Sequence, residues 1–468
     1  MKISFTNEQM ESWTAVLQSH LPLREESGAA ESAPLQPVHV VYGGAHLFRA
    51  DTVQKLGRLA LRSLEEYAAD GESLAKALGL AAGSQGPGAG EGRSERNHGT
   101  ISFGAIYDRV VEKLTNEPVE DFRIDFEDGY GLRADDEEDG HAVGAAEVTA
   151  EAMAQDALPR YFGIRIKSLS PETGRRAIRT LDIYLSRLVE LTGGPLPDGF
   201  VVTLPKVESE KQVKAISEIC GQLESVLGLA DGALWLELMV ETPRALFDSF
   251  GNALLPRMLV AGQGRVRGAH FGAFDYTAAC NIVASLQDLR HPICDFARAM
   301  MQALLVQTGV WLSDSVTAVM PVPVHRGEGL TDAQREENRG AVHRAWRMHY
   351  DNIRHSLANG FYQSWDLHPA QLPIRHAAVQ LFFRENLSAA ATRLRNFVER
   401  ATQASLLGTQ FDDAATAQGL LNFFAQALAS KVITEAEAAE MTGISGPELR
   451  SRSFAKIMKA KKAEGVKG

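Results

Sequence analysis

Acidic and basic side chains close apolar runs at several points in this sequence, and their types already describe a site. Glu241 ends the run Leu234–Val240, and Asp275 follows Phe271-Gly272-Ala273-Phe274. Two carboxylates from neighbouring strand ends are hard oxygen ligands; with water and substrate in the other positions they suit Mg²⁺. Zinc suits them less, because no pair of histidines or cysteines accompanies them. Glu127 and Asp128 follow Phe126 and could order water around such a cation. Arg165, between Ile164 and Ile166, is costly to bury unless it meets an acid or an anionic ligand, and it offers a planar donor fork to a carboxylate or carbonyl. Lys206 follows Leu204-Pro205. Together these groups would bind a 2-oxo acid and stabilise the enolate formed when a carbon–carbon bond breaks or forms. His46, His270 and His368, or an acid from another subunit, are candidates for proton transfer. No Ser-His-Asp order or nucleophile elbow is present, which disfavours covalent hydrolysis. Singly, each residue reads as a solvated strand-end charge or a structural histidine; the repeated layout is what argues for a site.

The elements that must carry these residues follow from hydrophobic pattern. Strands are expected at Val38–Tyr42, Phe122–Phe126, Tyr161–Ile166, Phe200–Leu204, Leu234–Val240, Gly268–Gly272, Val316–Val319 and Gly360–Leu367. From the second to the sixth they start at 122, 161, 200, 234 and 268, with an amphipathic helix in each gap. That is the βα repeat of a parallel α/β protein. Eight units favour closure into a TIM (β/α)8 barrel, whose catalytic groups sit at the C-terminal ends of the strands. No Gly-rich dinucleotide fingerprint follows the first strand. The reading divides the chain into an N-terminal helical segment (1–35), a barrel (36–380) with a low-complexity insertion (70–100), and a helical C-terminal extension (381–468). The acidic run Asp135–Asp139 reads as a solvated cap on the helix that follows.

Composition narrows the partners. The 468 residues carry a net charge of −11 with 45% hydrophobic and 23% charged residues. This argues for a globular protein with no general affinity for nucleic acid or an anionic membrane. Cys220, Cys280 and Cys294 have no metal-type spacing and read as reduced thiols in the core. Neither a signal peptide nor a membrane-length apolar run is evident, so the expected location is cytoplasmic. The apolar stretch Leu420–Ala429 could bury against the barrel or a partner subunit.

Six short motifs, in order, carry a resemblance. Phe126-Glu127-Asp128-Gly129 resembles the Leu-Glu-Asp-Ala/Gly element of the citrate lyase β-subunit / HpcH–HpaI aldolase family. Ile164-Arg165-Ile166-Lys167 is similar to its Val-Arg-Ile/Val-Asn, and Leu204-Pro205-Lys206-Val207-Glu208-Ser209 to its Leu-Pro-Lys-x-Glu-Ser. Glu241-Thr242-Pro243-Arg244-Ala245-Leu246 resembles Glu-Thr-Ala-x-Gly/Ala-Leu. Phe271-Gly272-Ala273-Phe274-Asp275 and Leu367-His368-Pro369-Ala370-Gln371-Leu372 resemble Phe-Gly-x-x-Asp and Ile-His-Pro-x-Gln-Ile.

The resemblance implies a phosphoenolpyruvate/pyruvate-type barrel with Mg²⁺ held by Glu241 and Asp275 and substrate polarised by Arg165. Glu127 and Asp128 join Arg165 as expected catalytic residues. Lys206, Gly272, Ala273, Phe274, His46 and His368 are the further positions expected at the substrate. It also implies a homo-oligomer, a trimer or a multiple of one, whose C-terminal segment can cap a neighbour's site. The reactions implied are aldol or Claisen cleavages of hydroxy acids or their CoA thioesters. Three departures weigh against a CoA thioester: the first strand reads Val40-Val41-Tyr42-Gly43-Gly44-Ala45-His46, Lys167 replaces an asparagine, and Gln363-Ser364 replaces a Gly-Lys pair. Phe274-Asp275-Tyr276 also fits a malate-synthase-like condensing enzyme. A third reading is a barrel that has lost catalysis and serves as a scaffold; a scaffold has no need to keep Arg165, Glu241 and Asp275 together.

Overall fold

The expected strands pair in chain order, all parallel, and the last closes on the first. The strands are β1 (His39–Gly44), β2 (Asp121–Asp125), β3 (Tyr161–Arg165) and β4 (Val201–Leu204), then β5 (Trp235–Val240), β6 (Val266–Phe271), β7 (Trp311–Val316) and β8 (Gln363–Asp366). They form a closed eight-stranded barrel in which β8 pairs with β1 through His39–Ser364, Val40–Trp365 and Val41–Asp366. This is the TIM barrel that the βα repeat predicts. The computed structural model describes residues 36–80, 102–399 and 414–451, with positions 8, 11, 12, 405–407, 410–412 and 457. Apart from positions 8, 11 and 12, the N-terminal helical segment expected at 1–35 lies outside the described residues, as does the part of the expected insertion beyond residue 80.

Helices fill the gaps because each has one apolar stripe to bury against the barrel. They are α1 (Thr52–Tyr67), α2 (Gly71–Ala77), α3 (Phe103–Asn116), α4 (Asp135–Ala154), α5 (Gly174–Thr192) and α6 (Glu210–Leu227). Then follow α7 (Pro243–Leu246), α8 (Leu255–Ala261), α9 (Ala273–Ala279), α10 (Pro292–Leu305), α11 (Asp332–Ala358) and α12 (Leu372–Glu399). Two compact units are distinguished, Gln36–Asn386 and the chain beyond it together with the N-terminal 35 residues. In the second unit, β9 (Ser405–Leu407) and β10 (Gln410–Asp412) form an antiparallel pair. They are followed by α13 (Ala414–Ala429), α14 (Glu435–Thr442) and α15 (Gly446–Arg450), which pack on one another. The apolar stripe of α13 is buried at Leu421, Phe424 and Ala427.

Four expectations are corrected. β7 runs over Trp311–Val316 rather than Val316–Val319. Its buried Ser313, Asp314 and Ser315 hide the apolar signal, and Asp314 is buried at low cost because Arg298 of α10 and Ser356 of α11 both donate to it. The 70–100 region is not all insertion: Asp70 caps α2 through the Ser73 amide, and α2 packs on α3. The acidic start of α4 is only partly a solvated cap. Its Glu138 is buried, accepts from Thr180 and pairs with Lys167 at 2.8 Å. The extension is not helical throughout, since the β9–β10 pair interrupts it.

Strand alternation sends every second residue into the barrel. The lower interior is a charged network that the apolar pattern did not announce. Arg123 donates to Asp121 and to both oxygens of Glu237, Thr203 donates to Glu237, and Gln363 donates to Asp121. Above it sits an apolar layer of Val40, Met239, Val316 and Trp365, with Tyr42 and Phe274 packed against it.

Candidate active site

At the C-terminal end of the barrel the strands deliver charges that cannot all be solvated, so they pair. Asp125, the last residue of β2, accepts from Arg165 Nε at 2.7 Å and also from Nη2. Its oxygens also take the amides of Glu127 and Gly129 at 2.9 and 2.7 Å. Arg165 is buried, with its guanidinium carbon 4.8 Å from the centre of the Tyr42 ring and 5.7 Å from that of Trp365. Its Nη1 stands 3.2 Å from Glu127 Oε2. The fork is therefore locked in orientation by Asp125 on one side and two aromatic faces on another.

Lys206 occupies the left-handed region, with φ 51°, at the turn where β4 ends. Its ammonium pairs with Glu127 and with Asp128, the latter at 3.1 Å, while its amide donates to Glu241 Oε2 at 2.9 Å. Burial raises the Glu127 carboxyl above its usual range despite the neighbouring Arg165 and Lys206. Four of the expected residues, Glu127, Arg165, Lys206 and Glu241, thus form one connected group, with Asp128 at its exposed edge.

Glu241 is under electrostatic tension. Burial pushes its carboxyl up to about 7; Lys206 and Arg165 oppose this, and Glu127 and Asp275 add to it. The carboxyl is wedged against β6: a Cβ on Gly272 would stand 2.5 Å from Glu241 Cγ and 2.9 Å from Oε1. Gly272 is therefore a required absence of side chain. Ala273, next in line, is fixed by its amide donating to Ser315 Oγ at 2.9 Å. Asp275 lies in the first turn of α9 and is exposed, and Phe274 is half-buried on the apolar layer.

Among the described residues no group of three or more His, Cys, Asp or Glu side chains is arranged to hold a metal. Two carboxylates with hard oxygens, one of them buried with its pKa raised despite Lys206 and Arg165, nevertheless fit a divalent cation that takes its remaining ligands from water and substrate.

The histidines divide by environment. His270 is a buried, hydrogen-bonded interior residue, 3.1 Å from Tyr42 Oη and 3.4 Å from Glu237. His368 accepts the Ala370 amide on Nδ1 at 3.2 Å, which leaves its proton on Nε2, and burial lowers its pKa. His46 stacks edge-on to Tyr130 at 5.6 Å beside His141, and burial, Arg133 and His141 lower its pKa.

Several residues of the site escaped sequence reasoning. Asp125 is one; its position two residues before Glu127 on an inward-facing register was the available signal. Tyr42 and Trp365, on the expected first and eighth strands, form the bed of Arg165. Lys167, which replaces the asparagine, donates to the Phe126 carbonyl at 2.7 Å and pairs with Glu138, so it anchors the β2 lip rather than facing solvent. Among the described residues no helix is long and apolar enough to cross a membrane. The described cysteines are all free, Cys220 and Cys294 buried, Cys280 half-buried.

Comparison with solved structures places the fold. A citrate lyase from Burkholderia xenovorans LB400 superposes with a TM-score of 0.52 at 18% identity, covering 72% of this chain and 92% of its own. The magnesium/glyoxylate complex of Haloferax volcanii malate synthase aligns at 16% identity over 89% of this chain and 98% of its own, with a TM-score of 0.42. No curated protein matches the sequence. The model of a family described as "Domain of unknown function (DUF6986)" matches residues 25–457.

Proposed function

The chain belongs to the DUF6986 family, and from the site it carries we propose that it is a carbon–carbon lyase or condensing enzyme acting on a small oxo- or hydroxy-carboxylate. The observation that carries the reading is Glu241: a buried carboxylate wedged against Gly272, held by the Lys206 amide and close enough to Asp275 to be raised by its charge. A barrel has no packing reason to keep an acid there, because burying a carboxylate costs stability that one backbone amide only partly offsets.

In this reading Glu241 and Asp275 would hold Mg²⁺, which when bound supplies positive charge opposite the negative charge that develops on a substrate oxygen. Arg165, fixed by Asp125, binds and polarises the substrate carboxylate or carbonyl without having to reorganise. Lys206 neutralises Glu127 and Asp128 and sets the position of Glu241 through its own amide. His368, neutral with its proton on Nε2, is a candidate proton donor at the β8 lip. Gly272 and Ala273 present close-approach backbone, and Phe274 an apolar face. The departures from the thioester-using pattern at β1 and β8 favour a free acid over a CoA thioester.

The test is calorimetric titration of pyruvate, oxaloacetate and glyoxylate into the protein with and without Mg²⁺, beside Glu241→Gln and Asp275→Asn. Metal-dependent binding of a 2-oxo acid that both variants lose is the expected result. Equal binding by wild type and Glu241→Gln would remove the metal assignment, and no binding by the wild type would favour a scaffold.

A further inference from the structure

We propose that the indole N–H of Trp365 is a substrate-orienting donor, reserved for a carboxylate oxygen of the bound acid beside Arg165. The assignment rests on the lyase reading above and specifies what fills the β8 side of that site. Trp365 faces the barrel interior. Its neighbour Asp366 faces outward to Arg375 of α12 and His349 of α11, so alternation turns Trp365 inward. The indole stacks on Tyr42 with centroids 4.4 Å apart, and the Arg165 guanidinium lies 5.7 Å from its centre.

Trp365 is only 9% exposed, and its Nε1 is buried with no hydrogen-bond partner. An indole nitrogen can only donate, so it needs an acceptor. Its packing neighbours Val40 and Val316 have no side-chain acceptor to offer, the weakly accepting Met239 sulfur takes Arg165 Nη1 at 3.7 Å, and Arg165 beside it is itself a donor. The fold does satisfy such a group where it serves structure: Trp346, also buried, donates to the Ala370 carbonyl at 2.7 Å. At Trp365 the barrel instead places a second donor near a guanidinium that Asp125 already holds from one side. Two donors without a common acceptor form a receptor for an oxyanion. Tyr42 and Phe274, half-buried beside it, would bound that oxyanion with apolar surface.

The full-length protein labelled with ¹⁵N-tryptophan gives five indole signals, one per tryptophan, and Trp365→Phe assigns the relevant one. Pyruvate with MgCl₂ is the probe. The expected result is a downfield move of the Trp365 indole proton on pyruvate addition, with Trp365→Phe weakening pyruvate affinity about tenfold and leaving Mg²⁺ affinity unchanged. A structural tryptophan would cost stability in Trp365→Phe and leave the wild-type signal in place. Binding of pyruvate with an unmoved or upfield-shifted signal overturns this assignment alone. Failure of the wild type to bind pyruvate, oxaloacetate or glyoxylate overturns the lyase reading and the assignment with it.

Discussion

Glu241 and Gly272 form a tight constraint in the site. Adding a methyl group at Gly272 places carbon 2.5 Å from Glu241 Cγ, so the carboxyl must move. Gly272→Ala should therefore lower kcat/KM on the order of 100-fold while costing only about 1–3 kcal/mol of stability. Steady-state kinetics beside urea unfolding will separate the two effects; a parallel loss of fold would mean that the glycine serves packing alone. The raised Glu241 carboxyl has a further consequence in metal-free protein. Its folded pKa is about 7 against a reference of 4.5, so the folded state binds the proton more tightly than the unfolded one. Stability from this group is then fully present at pH below about 4.5 and is lost as pH rises towards about 7. By linkage the loss is on the order of 3 kcal/mol, an upper figure that relaxation of the site will reduce. Relative to Glu241→Gln, metal-free wild type should become less stable between pH 5 and pH 7.5, measured by urea midpoints. An unchanged difference between the two proteins would show that the carboxyl is already ionised and compensated at pH 5.

The loops that carry the charges are held by pairs reaching from strand lip to helix. Lys167, just past β3, donates to the Phe126 carbonyl and pairs with the buried Glu138 of α4, so it ties the β2 lip to the helix after it. Lys167→Ala leaves Glu138 with Thr180 and with Arg176 at 3.5 Å, so the loss should be smaller than for a fully orphaned buried charge, about 1–3 kcal/mol. A double-mutant cycle with Glu138→Gln will measure the coupling; additive losses would show that the pair contributes nothing beyond its separate contacts. The same element-scale view explains why the solvated-cap reading of Asp135–Asp139 was half right. Asp135 and Asp136 remain exposed, while helical periodicity turns Glu138 towards the barrel wall.

At the scale of the whole molecule, the net charge of −11 sets the field in which ligands arrive. An acidic protein attracts a divalent cation over distances comparable with the Debye length, about 10 Å at 0.1 M salt. Raising KCl from low to physiological concentration should weaken Mg²⁺ affinity severalfold in calorimetric titration. An affinity independent of salt would mean that only the immediate carboxylates matter. The charged floor of Asp121, Arg123 and Glu237 is the other whole-barrel feature, joining strands far apart in sequence into one interior.

The order of elements and the ends of most strands were determined by the sequence alone, because both depend on local periodicity: apolar alternation, amphipathic helices, and charges that close hydrophobic runs. That local signal located Glu127, Arg165, Lys206, Glu241 and Asp275. It misplaced β7, where three buried polar residues replace the apolar pattern, and it passed over α2. What only the tertiary structure decided is which charge answers which. Arg165 meets Asp125, 40 residues away, and the Lys206 amide meets Glu241, 35 residues away. Glu241 meets the bare backbone of Gly272 across the β5–β6 seam. Trp365 on β8 comes to lie beside Arg165 on β3. These pairings depend on barrel closure and register, which bring together residues that no sequence window contains, and the cost of burying each charge or donor is settled only by the partner found there.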